Sequence, residues 1–211
     1  MTLKVPFLRI YGNSVLIAVV VTAGQLVTCT LAAFAFSRLM FGGRDALFFI
    51  LLIGLMFPAQ VTILPIYLGY AKIGLGLALM YLTSSFGVFL VRQFMLRQPK
   101  ALEEAALMDG AGYFKIFWRI SLPQLRPALS ALGIITFTQT WNSYFQAKVL
   151  LGPQDALTLP VAMDTLRGYL GAGNLSVVMA AMSMSILPVL LLFLVAQKFV
   201  IEGITMSGLK N

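Results

Sequence analysis

Five stretches of this chain carry no Asp, Glu, Lys or Arg: Ile10–Ser37, Ala46–Ala71, Ile73–Val91, Pro127–Ala147 and Gly168–Gln197. A hydrocarbon core about 30 Å thick takes roughly 20 helical residues to cross, so each stretch is long enough to span a bilayer. The charges bracket these runs and do not scatter through them to supply polar faces, which argues against one large soluble core. With 60% hydrophobic and only 10% charged residues, a water-soluble globule could not cover its own surface. The runs are continuous, not alternating, and in lipid every backbone polar group must be satisfied within its segment, which selects helices over a β-barrel. The expected fold is all-α: a polytopic membrane helical bundle forming one domain over residues 1–211. About five transmembrane helices are expected, near residues 12–37, 46–71, 73–91, 127–147 and 172–197.

Lone prolines do not overturn this reading. Pro58, Pro65 and Pro188 lie in or near spans, where a bent helix has neighbours to satisfy the freed carbonyl. Pro58 to Pro65 marks an expected break at the end of the second span. No His is present and Cys29 is the only Cys, so no metal site, haem attachment or internal disulfide is expected. Cys29, between Thr28 and Thr30 inside the first span, reads as a small packing residue.

Orientation follows from the basic residues, because short loops rich in Lys and Arg stay in the cytoplasm. Placing Arg92–Arg126 inside collects ten of the 15 basic residues on that side and leaves Lys4, Arg9, Lys72, Lys148 and Arg167 outside. The C-terminus is then cytoplasmic and the N-terminus external. Residues 1–11 hold no signal peptide that would carry a basic end across, so a preceding span is expected upstream.

The stretch Arg92–Arg126 holds nine of the 22 charges: six basic residues with Glu103, Glu104 and Asp109. It is the one substantial aqueous element. Pro99 suits a first helical turn, Glu103 and Glu104 sit near the positive N-terminal end, and Gly110 can take the left-handed stop. These residues predict a helix over about Pro99–Asp109. A second helix is predicted over about Tyr113–Ile120, rich in aromatics and ended by Pro123. In the first helix Leu102, Ala105, Ala106 and Asp109 share a face, whose small residues permit close approach to a partner groove.

Glu104-Ala105-Ala106, Gly110 and Ile120-Ser121-Leu122-Pro123 together resemble the EAA loop of binding-protein-dependent ABC importer permeases, in residue type and in spacing. Shorter stretches in the same order are similar to the carbohydrate branch, the maltose and glycerol-phosphate type. They are Asn13-Ser14, Phe57-Pro58-Ala59-Gln60, Ile63-Leu64-Pro65-Ile66-Tyr67, Asp109-Gly110-Ala111, Trp141-Asn142, Leu157-Thr158-Leu159-Pro160 and the tail from Gln197 to Lys210. The resemblance implies a loop seated in a cleft of a separate ATPase subunit, with coupling through Glu103, Glu104, Ala105, Ala106, Asp109, Gly110, Ala111, Leu122 and Pro123. It also implies a second homologous permease, two ATP-binding cassette subunits and an extracytoplasmic solute-binding protein, in a bacterial or archaeal inner membrane. No Lys is followed by Ser or Thr, so the chain has no phosphate loop and is expected not to be an enzyme. ATP and Mg would be used by the partner, with no cofactor bound by this chain and no nucleic acid among its partners. Such permeases usually carry one more span before the Asn-Ser position, which again points to an absent N-terminal span.

A sugar or polyol path needs hydroxyl-pairing groups and flat apolar faces. Gln139, Asn142 and Gln146 fall on one stripe of the fourth span by three-and-four spacing, beside Trp141 and Tyr144, and Gln60 and Thr62 could join them. Interhelical hydrogen bonding fits the stripe equally, and an interfacial aromatic belt fits Trp141 and Tyr144. A permease for another solute stays open. A proton- or sodium-driven transporter would show a carboxylate within a span, and all seven acidic residues fall outside the spans. A channel is opposed only by the loop resemblance.

Overall fold

A computed structural model describes residues 7–70, 81–150, 158–170 and 175–208. Their regular structure is helical, with no strand among the described residues. In chain order the elements are α1 (Phe7–Arg38), α2 (Arg44–Ile53) with a tight turn Gly54–Met56, α3 (Ala59–Tyr70), α4 (Ser85–Arg97) and α5 (Ala101–Met108). There follow α6 (Tyr113–Ile116), a π-helical turn (Phe117–Ser121), α7 (Leu122–Gln124), α8 (Arg126–Trp141), α9 (Phe145–Leu150), α10 (Leu159–Leu170) and α11 (Leu175–Gly208).

Two of these helices are long and apolar enough to cross a membrane: α1, and α11 through its segment Val178–Val195. A third span results if Arg44–Met56 and Gln60–Leu68 are one broken span. The first expected span matches α1. The second is interrupted: Phe57 turns extended, at φ −88° and ψ 124°, because the residue before a proline is pushed out of the helical region. The interruption is at Pro58 alone, since Pro65 lies inside α3. For the third span, residues 73–80 lie outside the described residues, and the helix beyond them starts at Ser85 and runs past Val91 to Arg97. Ser84 caps it, its side chain accepting from Gly87 N at 3.1 Å. The fourth span is two helices, because α8 ends at Trp141 and the chain is non-helical up to Phe145. Asn142 and Ser143 compete there for the backbone, as such side chains do. The fifth expected helix reaches Gly208 with Pro188 inside it, and residues 172–174 lie outside the described residues.

The chain forms two compact units. One comprises residues 1–23, 59–82 and 135–195, the other residues 24–58, 83–134 and 196–211. In the second unit, Cys29, Ala33 and Phe34 of α1 pack with Phe48, with Val88, Val91 and Met95 of α4, and with Phe117, Leu125 and Leu132. Gly87 explains how closely these helices meet: a Cβ there would lie 2.8 Å from Cys29 Sγ and 3.2 Å from Leu132 Cδ1. Cys29 is fully buried and so performs the packing role expected of it. In the first unit, Ile10, Ala18, Phe137, Trp141, Leu159 and Ala162 form one cluster, and Ala147, Leu150 and Val161 a smaller one. Ser14 is buried and its hydroxyl accepts from Leu159 N at 2.7 Å. This bond satisfies the first orphan donor of α10 and links two of the motif stretches, Asn13-Ser14 and Leu157-Thr158-Leu159-Pro160.

Candidate coupling elbow and candidate solute-facing groups

The charged stretch folds as an elbow within the second unit. α5 begins at Ala101, two residues after Pro99, with Lys100 at its N-cap. Its end is a Schellman stop: Ala111 N donates to Ala106 O at 2.9 Å, Gly110 N donates to Leu107 O at 3.0 Å, and Gly110 sits at φ +77°. Glycine is required there by the left-handed backbone, while the space around it is open. Beyond Gly112, α6 lasts a single turn and the chain widens into the π turn Phe117–Ser121.

Pro123 does not end this segment. It lies in α7, directly after the π turn, and helical structure continues through it into α8. The aromatics divide by side. Phe117 is buried and meets Phe34 edge-on, with ring centres 5.1 Å apart. Tyr113, Phe114 and Trp118 are exposed, as are Leu102, Leu107 and Met108 of α5, and Met108 and Phe114 are the barest at 90% and 75%.

The two glutamates separate just as sharply. Glu104 is exposed, together with Ala105, Asp109, Gly110 and Pro123, while Ala106, Ala111 and Leu122 are half-buried. Glu103 is buried and turns into its own chain. Its Oε2 lies 2.6 Å from Arg38 Nε, and the side chains of the pair are only 10% and 5% exposed. Ser121, fully buried, donates to Glu103 Oε1 at 3.0 Å. Arg38 Nη2 also donates to Met95 O at 2.8 Å, and Gln98 Nε2 to Ser121 O at 3.4 Å. Arg92 continues this pinning: its Nε donates to Phe36 O at 3.2 Å, and its guanidinium stands 4.0 Å over the Phe48 ring. The expected shared face is therefore corrected at one position, because Ala106 lies beside the inward-turned Glu103 while Leu102, Ala105 and Asp109 stay outside.

The loop resemblance implies Glu103 among the partner-facing residues, and helical spacing does not tell which acid meets a cation distant in the chain. Arg38, at the junction of a long uncharged run with the next charged segment, was the available signal.

In the first unit, Gln139 and Asn142 are exposed and Gln146 is half-buried, but the break after Trp141 means they do not share one continuous helix. Asn142 Nδ2 donates to Thr138 O at 2.9 Å, and Ser143 donates to Gln146 Oε1 at 3.3 Å. Trp141 lies inside this unit, 3% exposed, stacked on Phe137 with its indole donating to Ser185 O at 3.0 Å. It neither lines a surface nor forms an aromatic belt, because the ring is covered by its own unit. Gln60 is exposed and Thr62 half-buried. Tyr144, Lys148 and Asp164 form an exposed cluster in which Lys148 donates to Asp164 at 2.8 Å and Tyr144 donates to the same carboxylate at 2.6 Å.

Helical structure throughout the described residues, apolar spans and a charged elbow pinned on one side and bare on the other define a class: a polytopic helical membrane protein. Residues 26–205 match the family described as "Binding-protein-dependent transport system inner membrane component", and the chain belongs to that family. It is 33% identical over 206 residues to the arabinooligosaccharides transport system permease protein AraQ of Halalkalibacterium halodurans, covering 95% of this chain and 74% of the relative. It is 32% identical over 208 residues to the sn-glycerol-3-phosphate transport system permease protein UgpE of Yersinia pestis, covering 96% and 74%. Among solved structures it is similar to a chain of a bacterial ABC transporter involved in the import of the acidic polysaccharide alginate. That match has 28% identity and a TM-score of 0.80 over 93% of this chain and 76% of the other. The chain is a multi-pass inner-membrane translocation subunit of an ABC importer.

Proposed function

We propose that this subunit forms half of the path for a sugar or related polyol and couples it, through the exposed side of the elbow, to a separate ATPase. The observation that carries the coupling reading is the division of the elbow. Glu104, Ala105, Asp109 and Gly110 are bare beside Leu102 and Met108, a surface of small residues, two carboxylates and two apolar side chains that fits a groove on another protein. A second homologous permease would complete the path, two ATP-binding cassette subunits would use ATP and Mg on the cytoplasmic side, and an external solute-binding protein would deliver the substrate. The C-terminus is cytoplasmic in this arrangement. ATPase closure would move the elbow and turn the spans between inward- and outward-facing states.

The sugar assignment is supported by the relatives' names, for arabinooligosaccharides and sn-glycerol-3-phosphate, and by exposed amides at Gln60, Gln139 and Asn142, which can pair with hydroxyls. In proteoliposomes holding the whole transporter, Glu104→Lys and Gly110→Val should each abolish ATP hydrolysis stimulated by the loaded binding protein while the subunit still inserts. Gly112→Ala is the control, since its backbone is extended and its surroundings open. Undiminished stimulation in both variants defeats the coupling reading.

A further inference from the structure

The residue just before the Glu104-Ala105-Ala106 motif makes no outward contact to explain its charge. It is held instead by a base from the end of a different helix and by a hydroxyl from the π turn. A buried charge is costly unless paired and hydrogen-bonded, and here both carboxylate oxygens of Glu103 are engaged: Oε2 with Arg38 Nε at 2.6 Å, Oε1 with Ser121 Oγ at 3.0 Å. Arg38 in turn grips Met95 O at 2.8 Å, so one carboxylate ties α5 to the last turn of α1, to α4 and to the π turn.

The π turn is itself part of the device. Ser121, the last residue of this wider turn, lies fully buried against Glu103. Within the same unit α1 runs unbroken from Arg38 back through Phe34, Ala33 and Cys29, which pack in its core, so a displacement imposed on its end reaches that core.

We propose that Glu103 is a positioning residue which, with Arg38 and Ser121, makes α5 and the end of α1 one rigid lever, so that movement of the elbow is delivered to α1. This rests on the elbow being the ATPase contact. A merely structural tie would matter only for assembly. A lever matters also for how much transport each ATP yields, because the equilibrium a motor can shift is limited by the coupling between the two sites.

The experiment uses the complete transporter with its binding protein in proteoliposomes, and reads three quantities: ATPase subunits co-purified, ATP hydrolysed and solute imported. In the double variant Arg38→Met with Glu103→Met both charges are replaced by apolar side chains of similar length, so neither is stranded. It should retain the ATPase subunits, while solute imported per ATP falls about tenfold, as losing roughly 1.4 kcal/mol of coupling would give. Arg38→Lys, which keeps a cation facing Glu103 and strands neither charge, should restore most of that ratio, leaving a deficit of about twofold to threefold. An unchanged ratio in the double variant overturns the lever.

If the double variant does not assemble, Arg38→Lys alone decides, an unchanged ratio again refuting the proposal. Failure of the unaltered chain to retain ATPase subunits is a different result: it removes the coupling reading on which the lever stands.

Discussion

The elbow and the stretch Gln139–Lys148 are both rich in hydrogen-bonding side chains, yet the exposed groups of the second use them differently from the elbow. In the elbow, bonds reach across the sequence: Arg38 holds Met95 and Glu103, and Arg92 holds Phe36, all within a well-packed unit. Around Gln139–Lys148 the exposed groups bond differently from the buried ones: Asn142 bonds four residues back and the ion pair of Lys148 with Asp164 is half exposed, while the buried Ser143 and Trp141 reach Tyr81 and Ser185 O. Long-range buried bonds fix one geometry, because breaking them strands charge. An exposed amide bonded only locally, such as that of Asn142, can exchange partners with its surroundings.

The largest effect that can break this comparison is removal of one end of the buried pair. Arg38→Ala leaves Glu103 charged and buried, which costs about 3–5 kcal/mol. The expected outcome is loss of a folded subunit, seen as a collapsed thermal transition in detergent and degradation in cells. A variant as stable as the parent would mean the pair is solvated and the contrast between the regions is false.

Next in size is the close approach at Gly87. A methyl there meets Cys29 Sγ at 2.8 Å in a fully buried site, and overpacking of this kind costs about 1–3 kcal/mol. Gly87→Ala should lower the melting temperature, and adding Cys29→Ala should recover much of the loss by vacating the space the methyl needs. Equal melting temperatures for the single and double variants would show that α1 and α4 do not meet there.

Much of this was legible beforehand. Uncharged runs gave helices because lipid leaves the backbone no other partner, and Gly110 announced its left-handed stop by being glycine at the end of a short helical pattern. What stayed illegible was pairing and interruption. Nothing local says that Glu103 rather than Glu104 turns inward, since that depends on where Arg38 arrives in space. α10 is not among the expected elements, and the bond from its first N–H to the hydroxyl of Ser14, far away in sequence, is not readable locally. The fourth span reads as one apolar run, but composition cannot register that the helix stops at Trp141, whose own burial against Phe137 and Ser185 O comes from tertiary packing. Hydropathy reports that a segment prefers lipid, not that it is straight.

A smaller effect tests the solute side. If Gln139 pairs with a substrate hydroxyl, Gln139→Ala removes one bond worth about 0.5–1.5 kcal/mol and raises the half-saturating substrate concentration about twofold to tenfold. Thermal stability should not move, because the side chain is exposed. A fall in stability with unchanged half-saturation would reassign Gln139 to helix packing.

The smallest expected effect concerns Lys148, and it tests whether exposed charge contributes to holding the first unit together. The hydrogen bond to Asp164, and then that to Tyr144, raise the lysine's pKa well above its ordinary value. A group whose folded pKa is raised contributes stability that is complete below its unfolded pKa of about 10.4 and is lost as pH climbs through the raised one. Asp45 runs the other way: Arg44, by hydrogen bond and then by charge, lowers its pKa, so its contribution is present above about pH 3.9 and fades in acid. Both windows lie far from neutrality. Melting temperature should therefore be flat between about pH 6 and about pH 9 as far as these two groups set it. Lys148→Met should shift it by no more than the measurement error at neutral pH, since exposed pairs contribute little. A clear drop for Lys148→Met, next to a mild one for Arg38→Ala, would invert the contrast between the two regions and make the exposed cluster the structural one.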